Sequence, residues 1–271
     1  MQADFGRAAA SYDEAAVLAR ETGRRMAERL DFVKLAPRRV ADVGCATGDG
    51  IRELARRYPA AQPLAIDFAR PMLRAVRART PRLMRMVRRG PGLVNADVRA
   101  LPLAAGSLGL AWSNLMLQWL DDPRPAFREL RRVLEVGGLL MFATLGPDTL
   151  KELRTAAQRV GIAAPIRAFP DMHDLGDMLV ESGFADPVMD TETITLTYRS
   201  ARGFLRDQRH LGVRDGLLGT LPWRQWRRVF AAWEHADGLL PARFEVVFGH
   251  AWKGEPKTAE DGRAIVRFRQ P

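Results

Sequence analysis

The chain has a single cysteine, Cys45, among 271 residues, so no disulfide framework can staple it, and a reducing cytoplasm is its simplest home. It has no apolar run near the roughly 20 residues that a membrane-spanning helix requires; the best candidate, Val136 to Leu145, is far shorter. The opening MQADFGRAAASYDEAA lacks an apolar core behind basic residues, so no secretory leader is expected. Histidine is scarce and scattered: His173, His210, His235 and His250 form no HExxH and have no cysteine partner, which argues against a metal site. No GxSxG occurs and Cys45 has no base beside it, so hydrolase chemistry has no residues to run on. There is no internal repeat and no low-complexity tract. A composition of 47% hydrophobic and 27% charged residues excludes a disordered tail, a collagen-like fibre and a coiled coil.

Acids are in deficit. Lys plus Arg is 42 against 32 acids, a net charge of +10 that biases the chain toward an acidic partner. Arg70, Arg74, Arg77, Arg79, Arg82, Arg85, Arg88 and Arg89 fall in a stretch without an acid, which is either a basic docking face or a solvated helix face.

Apolar Ala15, Leu18, Met26 and Leu30 recur near a 3.6-residue period and predict an N-terminal helix over 11–31. Short apolar strands are expected at Arg39–Val43, Pro63–Asp67, Leu93–Val94, Leu108–Ser113 and Leu139–Thr144. Helices are expected from Ile51, from Pro71 and over Pro123–Leu134 between them. Strands and helices alternating through short glycine turns indicate a parallel, doubly wound α/β sheet with helices on both faces. After residue 146 helices are expected at Pro147–Val160 and Asp174–Ser182, then strands at Thr191–Tyr198 and Arg243–Trp252. The Trp- and Arg-rich helical segment between those last strands, about 199–240, reads as a lid inserted on one domain spanning 1–271. Trp223, Trp226 and Trp233 within it read as a core stripe.

Asp42-Val43-Gly44-Cys45-Ala46-Thr47-Gly48-Asp49-Gly50 is a strand-to-helix loop with glycines where a ligand approaches the backbone. A dinucleotide loop, G-x-G-x-x-G, would need glycine at Ala46 and Asp49. Acidic Asp42 and Asp49 would also repel a pyrophosphate, whereas they suit a ligand bearing an ammonium and a sulfonium, such as S-adenosyl-L-methionine. Asp67 ends the next strand, where a carboxylate can accept from both ribose hydroxyls, and Asp97 after the third can accept from the adenine amino group. The competing reading of these acids is helix capping.

At these residues the chain resembles the class I S-adenosylmethionine-dependent methyltransferases. The resemblance runs through ADVGCATGDG, LAIDFARPML, NADVRALPLAAGSLGLAWSN and LRRVLEVGGLLMFATLG, about Arg38 to Gly146. FGRAAASYDEAA, SNLMLQWLDD and FPDMHDLGDMLVESGF extend it over nearly the whole chain, and they resemble the malonyl-acyl carrier protein O-methyltransferase (BioC) family of biotin synthesis. The resemblance implies a Rossmann-like fold and methylation of the free carboxylate of a malonyl thioester. The expected cofactor set is Asp42, Gly44, Ala46, Gly48, Asp67, Phe68, Met72, Asp97, Val98 and Asn114, and the resemblance implies that Tyr12 closes over the cofactor. Two departures stand out: Ala46 replaces the middle loop glycine, and Leu211-Gly212-Val213-Arg214 replaces a common Leu-Gly-Ala-Asn.

A malonyl carboxylate is already ionised at neutral pH and needs no general base. The expected catalytic groups therefore position and exclude water: Tyr12, Gln118 and Trp119, with Asn114 beside them. Tyr12 and Trp119 as ordinary packing residues and Asn114 as a turn residue are the competing readings. Arg202, Arg206, Arg209 and His210 on the insertion suit the acidic surface of a malonyl-acyl carrier protein; nucleic acid is the less favoured partner, and a membrane is not expected. Rival functions are methylation of another small acid or of nucleic acid, and a non-methylating assembly factor on the same fold.

Overall fold

The computed structural model describes residues 2–86 and 90–255. Seven strands form one sheet in the order β3-β2-β1-β4-β5-β7-β6. Strands β1 (Arg39–Val43), β2 (Gln62–Asp67), β3 (Gly92–Asn95), β4 (Leu108–Asn114) and β5 (Leu134–Leu145) run parallel. The last two, β6 (Ala185–Tyr198) and β7 (Leu240–Trp252), pair antiparallel, and β7 is antiparallel to β5. The sheet is thus mixed: the alternating strand and helix pattern describes its first five strands, and the final pair adds an antiparallel edge.

Why these segments become strands is visible in their burial. In β4 and β5 successive side chains alternate between two cores: Leu110, Trp112, Leu139 and Met141 pack on one face, Ala111, Leu140 and Phe142 on the other. Both faces are covered, so the strands read as continuous apolar runs. The helices that cover them are amphipathic. The helix α7 (Arg124–Val133) buries Ala126, Phe127, Leu130 and Val133, which lie on one stripe, and turns its arginines outward. Each fully buried Leu or Phe on that stripe contributes about 1.5–3 kcal/mol.

The N-terminal region is three helices rather than one: α1 (Gln2–Ala8), α2 (Tyr12–Ala15) and α3 (Val17–Arg29). Buried Ala16, at φ −76° and ψ 32°, breaks the expected helix. The break lets α2 turn across the glycine loop, where the Thr47 hydroxyl donates to Asp13 Oδ1 at 2.6 Å and Arg79 forms an ion pair with Asp13. Part of the basic stretch is therefore spent inside the fold. Arg88 and Arg89 lie outside the described residues, as does the side chain of Arg85.

The remaining helices are α4 (Asp49–Arg57), α5 (Arg70–Arg79), α6 (Arg82–Met86), α8 (Lys151–Arg159) and α9 (Met172–Glu181). The insertion between β6 and β7 forms α10 (Ala201–His210), α11 (Arg214–Leu218) and α12 (Trp223–Ala231). Ser200 caps α10 by accepting from the Gly203 N–H at 3.2 Å. Of the three tryptophans read as a stripe, Trp226 and Trp233 are core, and Trp223 is 59% exposed. The insertion rests on α2 through α10 and on α8 through α12. Among the described residues no helix is long and apolar enough to cross a membrane.

Candidate active site

The strand order reverses between β1 and β4, so their carboxyl ends open a crevice, the usual ligand position in such sheets. The loop 44–48 borders it, with Gly44 and Ala46 facing in. Its first two N–H groups, of Gly44 and Cys45, donate to the Ile66 carbonyl of β2 at 2.9 and 3.0 Å, which holds the loop flat across the strand ends. Gly44 has φ +79°, and a Cβ there would lie 2.5 Å from Met116 Cγ, so both backbone and space demand glycine. Ala46 sits in the left-handed region at φ 44°, a conformation that costs an L-residue about 1–2 kcal/mol. Its N–H donates to Asp67 Oδ2 at 3.0 Å, which helps hold it there.

Asp67 also accepts from the Ala69 N–H through Oδ1 at 2.8 Å. A carboxylate has about four acceptor sites, so two backbone donors leave capacity for two more. Burial pushes Asp67 up to about 6, against the opposing pull of those two N–H groups. Beneath the loop, buried Asp42 is pushed up to about 7 by burial; the Ile51 N–H opposes this, and Asp67 and Asp49 add repulsion. Tyr12 reaches in from α2. Burial, followed by the carboxylates Asp67, Asp49 and Asp42, raises its phenol, and its hydroxyl has no hydrogen-bond partner among the described residues.

These groups face a cavity of about 590 Å³. It brings together Tyr12, Gly44, Ala46, Asp67, Phe68, Met72, Asp97, Val98, Asn114 and Trp119, ten of the residues singled out from sequence. Three of them carry prior engagements. Asp97 holds Arg99 through both oxygens, at 2.9 and 2.6 Å, and that guanidinium keeps its carboxyl below the ordinary range. Asn114 donates to the Ala19 carbonyl at 2.8 Å and accepts from the Thr22 hydroxyl at 2.7 Å, so its amide pins α3 to the end of β4. The Trp119 ring lies edge-on to Phe5, with centroids 6.0 Å apart.

Other expected residues lie elsewhere. Asp42 and Gly48 shape the loop from beneath without lining the cavity; Gly48, at φ +96°, begins α4. Gln118 is buried and turned away: its amide donates to the Leu115 carbonyl at 2.8 Å and accepts from the Thr144 hydroxyl at 3.3 Å, beside a separate cavity. Arg202 and Arg206 are exposed on α10, and His210 Nδ1 is 3.2 Å from Glu14. Arg209 lines a second cavity of about 400 Å³, which shares Phe5 and Trp119 with the first.

Sequence reading missed Phe5, Met116, Asp121 and Asp122, all of which line the first cavity. Phe5 stands on a seven-residue helix too short to show periodicity. Asp121-Asp122 directly follows Trp119-Leu120, and its position after the fourth strand was the available clue. Four acids line the first cavity, and three of them are paired with arginines, Asp97 with Arg99, Asp121 with Arg167 and Asp122 with Arg124; Asp67, with two unengaged acceptor sites, and the free Tyr12 hydroxyl are left to meet a ligand's hydroxyls and positive charge. Among the described residues no group of three His, Cys, Asp or Glu side chains converges as metal ligands.

Sheet order, glycine loop and crevice define a class I methyltransferase fold. Residues 41–142 match the family described as methyltransferase domain. The solved YcgJ protein of Bacillus subtilis shares the fold, with a TM-score of 0.61 over 88% of this chain and all of that one, at 13% identity. Over its whole length the resemblance narrows. The chain is 49% identical to malonyl-[acyl-carrier protein] O-methyltransferase of Gallionella capsiferriformans, covering 98% of this chain and 94% of that protein. It is 50% identical to the protein of that name from Laribacter hongkongensis, over 99% and 94%. This chain belongs to the malonyl-[acyl-carrier protein] O-methyltransferase family, and its methyl donor is S-adenosylmethionine.

Proposed function

We propose that the protein methylates the free carboxylate of a malonyl group carried on acyl carrier protein, in biotin synthesis in the cytoplasm. The observation that carries this reading is similarity to the curated relatives over nearly the full length, insertion included, rather than over the cofactor half alone. The donor supplies a methyl group on a positively charged sulfur. Asp67 would hold the donor's ribose through its two unengaged acceptor sites, and Phe68, Met72 and Val98, which line the same cavity, would supply apolar walls for its base. Asp97 would meet the base edge, its carboxyl held below the ordinary range by Arg99. Tyr12 closes the cavity from α2, pinned there by Asp13 on Thr47 and Arg79.

No residue is asked to remove a proton, because the acceptor is an ionised carboxylate. The work left to the chain is alignment and exclusion of water. Phe5 and Trp119 form an aromatic threshold between the acid-lined cavity and the one that Arg209 lines. A cation in the first and an anion entering from the second are each met by opposite charge. Gln118 supports the threshold from behind as a positioning residue, by fixing the turn 115–118. The segment 199–240 acts as a lid on a single domain, and its exposed Arg202 and Arg206 steer the acidic carrier.

Rescue of a biotin-requiring bacterial strain that lacks this methyltransferase step tests the reading. The wild-type gene restores growth and Asp67→Ala does not; a folded, expressed wild-type protein that fails to rescue contradicts it.

A further inference from the structure

Three cavities lie in series. The acid-lined cavity meets the second at Phe5 and Trp119, and the second, of about 400 Å³, meets a third, of about 360 Å³, at Arg209, Arg214 and Asp215. The third is walled by Leu205, Leu221, Trp226 and Phe230 and ends at Trp223, which is 59% exposed. A path therefore runs from the glycine loop, across an aromatic threshold, past a pair of arginines and along an apolar groove to the outer face of the insertion.

The middle of this path is built tightly. Gly212 has φ +73°, and a Cβ there would lie 2.8 Å from the Asp4 carbonyl oxygen and 2.9 Å from Ala8 Cβ, so the turn between α10 and α11 is pressed directly on α1. The charges at the junction are not equivalent. Arg214 is held by Asp215 at 2.6 Å, and Arg7 is paired with Asp4. Arg209 is exposed, and its side chain has no hydrogen bond or ion pair among the described residues.

We infer that this path takes the phosphopantetheine arm of the substrate and that Arg209 is the receptor for the arm's phosphodiester. The inference rests on the reading that the methyl acceptor is a carrier-tethered thioester. The acceptor carboxylate must pass Phe5 and Trp119 to meet the donor, so Arg209 stands on the wrong side of the threshold to hold it. The phosphodiester is the arm's only other anion and lies at its carrier end, where an unpaired guanidinium at the junction of the two outer cavities matches it. The amide-linked stem between the two anions then lies in the second cavity, and the apolar groove beyond lies beside the carrier itself.

Binding of 4′-phosphopantetheine and of pantetheine to the full chain loaded with S-adenosylhomocysteine, followed by NMR titration, tests the inference. The wild type should favour the phosphorylated arm by about five- to tenfold, the range of a charged hydrogen bond at an exposed site. Arg209→Gln should bring the ratio near one, and Arg209→Lys should restore part of it. Equal affinities in the wild type, a preference that survives Arg209→Gln, or an equal loss for both arms overturns it. Turnover separates phosphate from carrier: kcat/KM should fall alike for malonyl-acyl carrier protein and malonyl-coenzyme A in Arg209→Gln. A loss confined to the carrier protein makes Arg209 a protein-docking residue and overturns the phosphodiester assignment. A phosphate preference that depends on Arg209 in a protein that methylates no malonyl thioester supports the path and refutes the proposed reaction.

Discussion

Cofactor binding should be linked to protons through the two buried carboxylates of the crevice, and pH is the perturbation that exposes it. Asp67 is raised from the ordinary 3.8 to about 6 and Asp42 to about 7, in each case chiefly by burial. Both folded values lie above the unfolded one, so between about pH 4 and 7 the folded chain binds more protons than the unfolded chain. The contribution of these groups to stability is therefore complete below about pH 4 and is lost as pH rises through their folded values. At about 1.4 kcal/mol per pH unit, ionising Asp67 in the ligand-free protein costs about 3 kcal/mol. A ligand whose hydroxyls donate to that carboxylate, and whose positive charges lie nearby, favours the ionised form and returns much of this cost. If binding brings Asp67 back to its ordinary value, the dissociation constant of S-adenosylmethionine is about tenfold weaker at pH 5 than at pH 7.5, and binding near pH 6 releases about half a proton. Calorimetry in two buffers of different ionisation enthalpy measures both. Asp67→Ala should weaken binding at pH 7.5 by about 1.5–3 kcal/mol, the range of charge-assisted hydrogen bonds, and flatten the pH dependence. The same affinity at both pH values with no proton released would refute the reasoning.

Gly44→Ala places a Cβ 2.5 Å from Met116 Cγ at a left-handed φ; it should destabilise the fold by about 2 kcal/mol or more in denaturant unfolding and weaken S-adenosylhomocysteine binding in parallel. Ala46→Gly relieves left-handed strain and adds freedom to the unfolded chain, two effects of about 1 kcal/mol that oppose each other. Its stability should stay within about 1 kcal/mol of wild type by thermal melting, and a larger loss would mean that the alanine methyl packs against something essential. Charge reversal at Arg202 and Arg206 should lower kcat/KM for malonyl-acyl carrier protein by about tenfold at low ionic strength, with the deficit shrinking as salt is added. A deficit insensitive to salt would remove steering as the cause.

Strands β1, β2 and β4 were legible because a strand covered on both faces must be apolar throughout, and the residues ending them carry the crevice. Residues whose apolar pattern is interrupted were not. Gly137-Gly138 reads as a turn, yet β5 begins at Leu134 and runs through them, with Gly137 at φ +78° and a register shift opposite Leu108–Leu110. Pro187 masks the start of β6, an edge strand where a missing N–H is tolerated and the ladder is irregular between Ala185 and Val188. The glycine loop, Asp67 and Asp97 could be found because their spacing follows from strand ends. Asn114 and Gln118 have the right chemistry and position in sequence, but their amides are taken by α3 and by the turn after β4, which only tertiary packing decides. Phe5 and Arg214 become neighbours of Trp119 and Arg209 because Gly212 lets α1 and the insertion touch, a contact between residues some two hundred positions apart.

The most direct measurement is the intact mass of malonyl-acyl carrier protein after incubation with the purified chain and S-adenosylmethionine, with acetyl-acyl carrier protein as the paired substrate. The malonyl carrier should gain one methyl ester and the acetyl carrier, having no free carboxylate, should gain none. An unchanged malonyl carrier in the presence of a chain that binds S-adenosylhomocysteine, or methylation of both carriers alike, would contradict the account.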